Sequence, residues 1–286
     1  MKDFSGKVAV VTGAGRGIGR GIALHCAKEG MKVVLAGIGM ESLTKTDADL
    51  QAIGAKTLVV QTDVSQLEAI QNLAKKTLDA FGEVHMLVNN AGVGHYATVW
   101  DSGLDDWEWV IGVNLWGVLY SVRTFIPIMI EQDSECHIVN VSSINGVLPG
   151  TGYLASYSVA KHGVVALSES LYLELARHAP HIKVSVYIPG NVDTDILDCE
   201  RNRPERFRQG KTAWQLTPEG RAAWKANFEA GLTIGESADV VFEGVRADKL
   251  YIGAHGFGHQ FDGFHLEMIR TRIENILNER NPELPS

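Results

Sequence analysis

The chain has 286 residues, of which 45% are hydrophobic and 21% charged, and its formal net charge is −8. This composition is typical of a globular protein long enough for one large α/β domain. The acidic balance, without a long basic run, argues against nucleic acid or an anionic membrane as partners and favours small molecules. Three scattered cysteines, Cys26, Cys136 and Cys199, favour neither a disulfide framework nor a thiolate metal site. We see no signal peptide and no stretch of about 18 apolar residues, so the sequence predicts a soluble, cytoplasmic protein without a membrane span.

The first predicted strand is residues 7–12, a β-branched apolar run that is typical of a strand buried on both faces. It ends in a glycine-rich turn, and a helix is predicted over 20–29. Such a turn lets backbone N–H groups and the positive end of the helix approach a pyrophosphate. The glycine spacing, Gly-x-x-x-Gly-x-Gly, differs from the usual G-x-G-x-x-G. The prediction of a dinucleotide site therefore depends on the strand-turn-helix context, and a plain loop is the alternative. The predicted cofactor-binding residues are Gly13, Gly15, Arg16, Gly17, Ile18 and Gly19.

The second predicted strand, 32–36, continues into Gly37 and Gly39 without a carboxylate. An acidic side chain at this position usually holds the adenosine ribose hydroxyls of NAD. Its absence favours NADP(H) over NAD, with Arg16 as a partner for the 2′-phosphate. The alternative is that Arg16 is simply solvated.

After a helix predicted over 40–53, a strand over 56–61 leads to Asp63 and Val64. Asp63 either accepts from the adenine amine or caps the helix that starts near Gln66. The strand 84–88 then opens onto Asn89, Asn90, Ala91 and Gly92. This set is suited to a tight backbone bend beside the cofactor.

Residues 105–131 form a long predicted helix that is apolar on most of its circumference, and such a helix is buried against a sheet or another subunit. Asn114 is the polar exception. It either hydrogen-bonds backbone groups or holds a water near the active site. The next strand, 137–141, leads into Ser142 and Ser143, and a hydroxyl at that strand end can donate to a substrate oxygen.

Tyr157 and Lys161 are four residues apart at the start of a predicted helix and therefore share one face. A nearby cation favours the phenolate and lowers the pKa of a tyrosine by roughly 1–3 units. Tyr157 is thus a candidate general acid/base. The alternative is a surface helix with a solvated lysine, because this spacing is common by chance.

The glycine turn, Asn89 to Gly92, Ser143, Tyr157, Lys161, and Pro189-Gly190 after a strand over 183–188 together resemble the classical short-chain dehydrogenase/reductase family. The resemblance covers residues 6 to about 195. It implies one α/β Rossmann-type doubly wound domain with a seven-stranded parallel sheet flanked by helices, usually in a homotetramer. It also implies that Tyr157 transfers the proton and that Lys161 lowers the tyrosine pKa and binds the nicotinamide ribose. The resemblance further implies that Ser143 orients the substrate oxygen and that Asn114 supports a relay water. Further implied cofactor contacts are Gly37, Asp63, Val64, Asn90, Ala91, Gly92, Pro189, Gly190, Val192 and Thr194, together with Ile188 and Asn191 in the nicotinamide pocket.

The interval from Ser143 to Tyr157 is one residue longer than is usual in that family, which leaves Ser142 as an alternative to Ser143.

Residues 195–235 are too long for a simple connection, and the resemblance places a helical substrate lid there. The lid aromatics Trp214 and Trp224 either enclose an apolar or aromatic substrate or pack at an interface. The predicted substrate-binding residues are His95, Ser143, Asn145, Val147, Tyr153, Tyr157, Asn191, Leu197 and Trp214.

Residues 253–286 form a predicted C-terminal extension with a helix over 265–279. His255 and His259 lack the carboxylate or thiolate pattern of a metal site, so no metal is predicted. This extension, with the 105–131 helix, is similar to bacterial aryl-alcohol Cα-dehydrogenases, which implies a bulky secondary alcohol or its ketone as substrate.

The predicted function is therefore that of an NAD(P)-dependent oxidoreductase that transfers hydride between the coenzyme and a secondary alcohol or ketone, working as a homo-oligomer, either a tetramer or a dimer. Two alternatives remain. One is a dinucleotide-binding sensor or scaffold without turnover, which the intact Ser143, Tyr157 and Lys161 disfavour. The other is a nucleotide-sugar epimerase or dehydratase, for which 286 residues leave little room for a substrate domain.

Overall fold

The computed structural model describes residues 1–253 and 263–278, with side chains in the second segment from residue 267 onward. Its centre is a parallel sheet of seven strands in the order β3-β2-β1-β4-β5-β6-β7. The strands are β1 Val8–Thr12, β2 Lys32–Gly37, β3 Thr57–Gln61, β4 Met86–Asn89, β5 Cys136–Val141, β6 Ile182–Tyr187 and β7 Tyr251–Ile252. The predicted seven-stranded, doubly wound α/β domain is thereby confirmed.

Helices cover both faces of the sheet. They are α1 Gly17–Lys28, α2 Met40–Ala52, α3 Leu67–Phe81, α4 Leu104–Ile111, α5 Gly117–Gln132, α6 Ala155–His178, α7 Pro218–Glu229, α8 Ile234–Arg246 and α9 Gly263–Leu277. The helix α1 starts three residues earlier than predicted, because the glycine turn itself supplies its first turn. All five residues of β1 are buried, as expected for a central strand with helices above and below it.

The chain order reverses between β1 and β4, where Val11 pairs with Val88. On its other side β1 pairs with β2, so the connections leaving β1 and β4 run in opposite directions across the sheet. This arrangement opens a crevice at the carboxyl ends of the two strands, and open α/β sheets bind their ligands in such a crevice.

The predicted helix over 105–131 follows one continuous path, but its backbone hydrogen-bond pattern changes partway along. A π-helical turn, Gly112–Trp116, separates α4 from α5 and contains Asn114. Single π-turns inside helices occur frequently at functional sites. Apolar periodicity does not distinguish such a turn from ordinary α-helix, which is why the sequence predicted one helix.

By length and composition, the run Leu104–Gln132 could cross a membrane, although the sequence reading found no such stretch. In the fold it is a core helix. Val118, Val122, Phe125 and Met129 on α5 are buried in one cluster with residues of the sheet. Packing on the sheet therefore explains the apolar character of this face.

The segment 195–235 contains short 3₁₀ turns, Ile196–Asn202 and Glu205–Phe207, followed by α7. An isolated parallel bridge between Val192 and Leu232 brings its two ends together. None of the residues of α7 is buried. The segment is therefore an insertion outside the core whose two ends lie close together.

Candidate active site

A single cleft with a cavity volume of about 550 Å³ runs along the carboxyl ends of the strands, from the glycine turn to the segment 195–235. All predicted cofactor residues except Gly19 and Ile188 line it. From the core these are Gly13, Gly15, Arg16, Gly17, Ile18, Gly37, Asp63, Val64, Asn90, Ala91, Gly92, Tyr157, Lys161, Pro189, Gly190, Val192 and Thr194. Residues far apart in sequence therefore converge on one crevice.

The glycine turn fits a dinucleotide pyrophosphate. Gly13 has φ +65°, and a Cβ there would lie 2.8 Å from Asn90 Nδ2. A Cβ on Gly15 would lie 2.5 Å from Ser42 Oγ. Arg16 precedes α1 without capping it through its side chain, and the first turn of α1 has no acidic residue. The N–H groups and the positive end of the helix therefore meet no competing carboxylate from that turn.

Gly19 and Ile188 are the predicted cofactor residues that do not line the cleft. Ile188 is buried in the main core instead. A Cβ on Gly19 would collide with Asn90 Nδ2 and with the carbonyl oxygen of Gly13. Its role is to let α1 pack closely beneath the turn.

Two side chains predicted to contact the coenzyme are paired with residues of the 195–235 segment. Arg16 Nη1 lies 3.3 Å from Asp195 Oδ2 in an exposed pair. Asp63 Oδ2 accepts from Arg206 Nη2 at 2.7 Å. The other oxygen of Asp63 accepts from the amide and hydroxyl of Ser65, so its side chain orders the turn before α3, and Gln66 rather than Asp63 is the capping position.

Tyr157 and Lys161 lie in the first turns of α6, which begins two residues before Tyr157. As the spacing predicted, they share a face, and Lys161 Nζ is 5.7 Å from the centre of the Tyr157 ring. Lys161 is 3% exposed, and its ammonium donates to the carbonyl oxygen of Val141 at 2.9 Å. The phenol and the amine are thus held at the end of β5.

The expected lowering of the Tyr157 pKa is wrong for this structure. Burial raises the pKa of Tyr157, and the hydroxyl of Ser143 opposes that rise by hydrogen bonding. Burial also lowers the pKa of Lys161 to about 8, because an ammonium in an apolar setting is disfavoured. Both groups are shifted toward their neutral forms, so Tyr157 is a phenol at neutral pH.

The hydroxyl of Ser143, and not that of Ser142, is the one beside Tyr157. Ser143 Oγ accepts from the amide of Asn145 at 3.2 Å and interacts with the Tyr157 phenol. Ser142 Oγ donates to the carbonyl oxygen of Lys161 at 2.9 Å. The longer interval before Tyr157 therefore does not displace Ser143.

Asn114 hydrogen-bonds backbone groups, which is one of its two predicted roles. Its Nδ2 donates to the carbonyls of Val93 and Val110, at 2.8 and 2.9 Å, and its Oδ1 accepts from the amide of Val93 at 3.1 Å. Asn114 does not line the cleft. It ties the π-turn to the loop after β4, just behind Lys161 and Gly92.

Most predicted substrate residues line the other end of the cleft: His95, Ser143, Asn145, Tyr157, Asn191, Leu197 and Trp214. Val147 and Tyr153 do not line the cleft. Val147 packs against the main core instead. Tyr153 has a left-handed backbone, φ +66°, which turns it to the surface, where its ring stacks on Tyr96 with centroids 4.9 Å apart. A positive φ on a tyrosine could not be anticipated from its neighbours in sequence.

The sequence analysis missed three aromatic lining residues, Tyr96, Trp109 and Phe228. Tyr96 immediately follows His95. Its position in the loop after a strand end could have marked it as a cleft residue. Trp109 lies on α4 and Phe228 on α7, and nothing local in the sequence marks either as a wall of this cleft.

Within residues 1–253 and 263–278 no group of three or more metal-ligating side chains occurs. His255 and His259 lie outside the described residues, as does most of the predicted C-terminal extension other than α9.

Comparison with known proteins places this site in a family. The family model for short chain dehydrogenases matches residues 7–205. A short-chain dehydrogenase/reductase from Burkholderia phymatum, solved in complex with NAD, is 40% identical, with a TM-score of 0.89 over 100% of this chain and 99% of that one.

Two curated relatives are also similar. A C alpha-dehydrogenase from Sphingobium is 33% identical over 253 residues, 88% of this chain and 81% of that protein. A CLA biosynthesis dehydrogenase/reductase from Lactiplantibacillus plantarum is 30% identical over 99% of this chain and 98% of that protein. With its glycine turn, Ser143, Tyr157 and Lys161 on one cleft, the chain belongs to the short-chain dehydrogenase/reductase family.

Proposed function

We propose that the protein is an NAD(P)-dependent oxidoreductase that interconverts a secondary alcohol and its ketone, with a bulky apolar or aromatic body. The observation that carries the proposal is the placement of Tyr157, Lys161 and Ser143 in one cleft with the glycine turn. Family membership supports the reaction class. When bound, the nicotinamide coenzyme supplies or accepts the hydride at the substrate carbon.

The roles of the protein's side chains follow from their positions. In the reducing direction Tyr157, a phenol at neutral pH, donates its proton to the substrate oxygen, and Ser143 donates a second hydrogen bond to it. These donors stabilise charge that develops on the oxygen in the transition state. In the oxidising direction Tyr157 must first release its phenol proton to solvent. The resulting phenolate, stabilised by the ammonium of Lys161, then takes the alcohol proton.

Lys161 has a second role toward the coenzyme. Its Nζ lies between Val141 and Gly92, since a Cβ added to Gly92 would be 3.7 Å from it. This position at the ends of β4 and β5 suits hydrogen bonding to the nicotinamide ribose. Asn114 positions the adjoining loop, and a relay water remains its predicted additional partner.

The aromatic lining supports the proposed substrate class. Trp109, Trp214, Trp224 and Phe228 line the cleft. Trp109 belongs to a small buried cluster against which Tyr157 and Trp214 pack. Trp224 lies edge-on to Tyr96 at 5.2 Å between ring centroids. A wall of this kind favours a large apolar body over a sugar nucleotide, whose many hydroxyls would need polar partners.

For the coenzyme we propose NADP(H). No carboxylate occupies positions 37–39. Within the described part of the chain, the Arg16 side chain pairs only with exposed Asp195, so a 2′-phosphate could compete for it. The Burkholderia relative was solved with NAD, so the preference has to be measured. Fluorescence titration with NADPH and NADH should give the tighter dissociation constant for NADPH, and clearly tighter NADH binding would overturn this assignment.

We further propose a cytoplasmic homo-oligomer, either a tetramer or a dimer, without nucleic-acid or membrane partners. Exposed apolar side chains on α5 and α6 support self-association. They include Ile130, Val159, Tyr172 and Leu173, and Trp116 of the adjoining π-turn is exposed as well.

The test of the function is a substrate screen. Purified protein with NADPH or NADH is offered aryl and alkyl ketones, the corresponding alcohols with oxidised coenzyme, and UDP-sugars, with absorbance followed near 340 nm. We expect turnover with secondary alcohols and ketones. Turnover confined to UDP-sugars would favour the epimerase or dehydratase alternative, and coenzyme binding without any turnover would favour the sensor.

A further inference from the structure

Trp214 is fixed from several sides at the substrate end of the cleft. Its Nε1 donates to Glu200 Oε1 at 3.3 Å. Its ring lies edge-on to His95, with centroids 6.3 Å apart, and the guanidinium of Arg221 lies 5.8 Å from its centre. An indole held in this way presents a defined wall rather than a mobile side chain.

Glu200 is itself held by Arg203. Glu200 Oε1 accepts from Arg203 Nη2 at 2.7 Å, and Oε2 accepts from Nε at 2.9 Å. Two parallel bonds between a guanidinium and a carboxylate fix orientation as well as distance. Burial alone would raise the pKa of Glu200, but Arg203 holds it below its ordinary value, so the acceptor stays ionised.

Arg203 is anchored on α4. Its Nη2 lies 2.8 Å from Asp106 Oδ1, and both side chains are almost fully buried. Asp106 Oδ2 accepts from the amides of Gly103 and Thr212, at 3.1 and 2.8 Å. The guanidinium also lies 4.0 Å from the centre of the Trp109 ring, a second wall of the cleft.

Asp106, Arg203 and Glu200 are not among the residues that line the cleft, whereas Trp109 and Trp214 are. A buried ion pair adds little net stability compared with apolar packing, but it fixes geometry, since removal of one partner leaves an unpaired buried charge. These three side chains therefore affect a ligand in the cleft indirectly, by fixing the positions of the two indoles.

We propose that Asp106, Arg203 and Glu200 are positioning residues that set Trp109 and Trp214 as walls for an aromatic ring. The hydrogen bond that Trp214 donates to Glu200 thereby selects aryl ketones over alkyl ketones of equal size. This inference deepens the proposed function and rests on it. A flat ring gains from a fixed aromatic neighbour beyond the area it buries, and a saturated ring of similar volume does not.

The experiment compares acetophenone with cyclohexyl methyl ketone, which differ in aromaticity and little in size. Calorimetric affinities are measured with oxidised coenzyme, so that no turnover occurs, and without coenzyme. The variants are Glu200→Leu, Trp214→Phe and the double variant. Glu200→Leu leaves Arg203 its pair with Asp106, so we expect the fold to be retained.

We expect each single variant to weaken acetophenone binding about 3- to 10-fold, and cyclohexyl methyl ketone binding by less than about twofold. The double variant should bind acetophenone no more weakly than the weaker single variant, because both changes remove one interaction. Glu200→Gln, which keeps one acceptor oxygen, should restore part of the loss. Lys225→Gln, an exposed lid substitution, should match the wild type.

Additive losses in the double variant, or equal losses with both ketones, would overturn the proposal. So would failure of the wild type to bind acetophenone under either condition. If the binding pattern holds but no ketone or alcohol is turned over near 340 nm, the oxidoreductase proposal fails and the positioning role stands.

Discussion

Lys161 is a buried cation whose one hydrogen bond within the described chain goes to a backbone carbonyl. Burial lowers its pKa from 10.5 to about 8, which corresponds to roughly 3 kcal/mol of destabilisation when the group is charged. The protein therefore keeps at its centre a side chain that costs stability. Such a group is expected where charge is needed for chemistry.

Lys161→Met should abolish turnover and stabilise the fold. The expected gain in unfolding free energy is about 1–3 kcal/mol at pH 7, because a buried charge is removed at the cost of one hydrogen bond to Val141. The gain should shrink as pH rises from 8 to 10.5. Over that range the folded wild-type lysine has lost its proton and the unfolded lysine has not, so wild-type stability rises with pH.

Urea unfolding of both proteins at pH 7 and pH 10 measures this difference. Lys225→Met changes an exposed lysine and should leave the unfolding free energy unchanged at either pH. A Lys161→Met protein that is less stable than the wild type at pH 7 would contradict this account of the buried charge.

Among the elements, the π-turn Gly112–Trp116 is the feature that joins the long helix to the active site. Asn114 in this turn bonds the backbone of Val93, in the loop that also contains Gly92. The same loop contributes His95 to the cleft. The turn thus positions the loop that faces Tyr157 and Lys161.

Asn114→Ala should lower the unfolding free energy by about 2–4 kcal/mol, because three buried hydrogen bonds are lost together. Turnover should fall as well, since the loop after β4 loses its support. Asn72→Ala, on the exposed face of α3, is the matched control and should have little effect. Unchanged stability with a lowered kcat would instead mean that Asn114 acts chiefly through a bound water.

The regular elements could be predicted because their signals are local. The β-branched run of β1, the glycine turn and the spacing of Tyr157 and Lys161 each depend on residues close in sequence. The pairing of Asp63 with Arg206 and the wall formed by Trp109 could not be predicted, since they join segments distant in sequence. The pKa of Tyr157 was expected to fall because the charge of Lys161 was considered and the burial of the phenol was not.

At the scale of the whole molecule, an apolar surface remains on α5 and α6. Leu173 and Val159 are 58% and 54% exposed, and the ring of Trp116 stacks on Tyr120 with centroids 5.7 Å apart. Exposed apolar side chains on these two helices support the proposal that another chain covers this surface. A second copy of this chain is the occupant that we propose.

Leu173→Glu should shift the protein toward smaller species in sedimentation velocity at equal concentration, because a carboxylate would be desolvated in the interface. Glu174→Gln, at the neighbouring exposed position on α6, should leave the distribution unchanged. An unaltered oligomer in the Leu173→Glu protein would exclude this surface as the interface.

The proton donor role of Tyr157 is most directly tested by Tyr157→Phe, which removes one oxygen from a partly buried ring and leaves the glycine turn intact. Coenzyme affinity by fluorescence titration and turnover near 340 nm are measured on the same preparation as the wild type. We predict that coenzyme affinity stays within about threefold while kcat falls by at least about 100-fold, as expected for loss of a general acid. Turnover retained within about tenfold of the wild type would contradict the assignment of the proton donor.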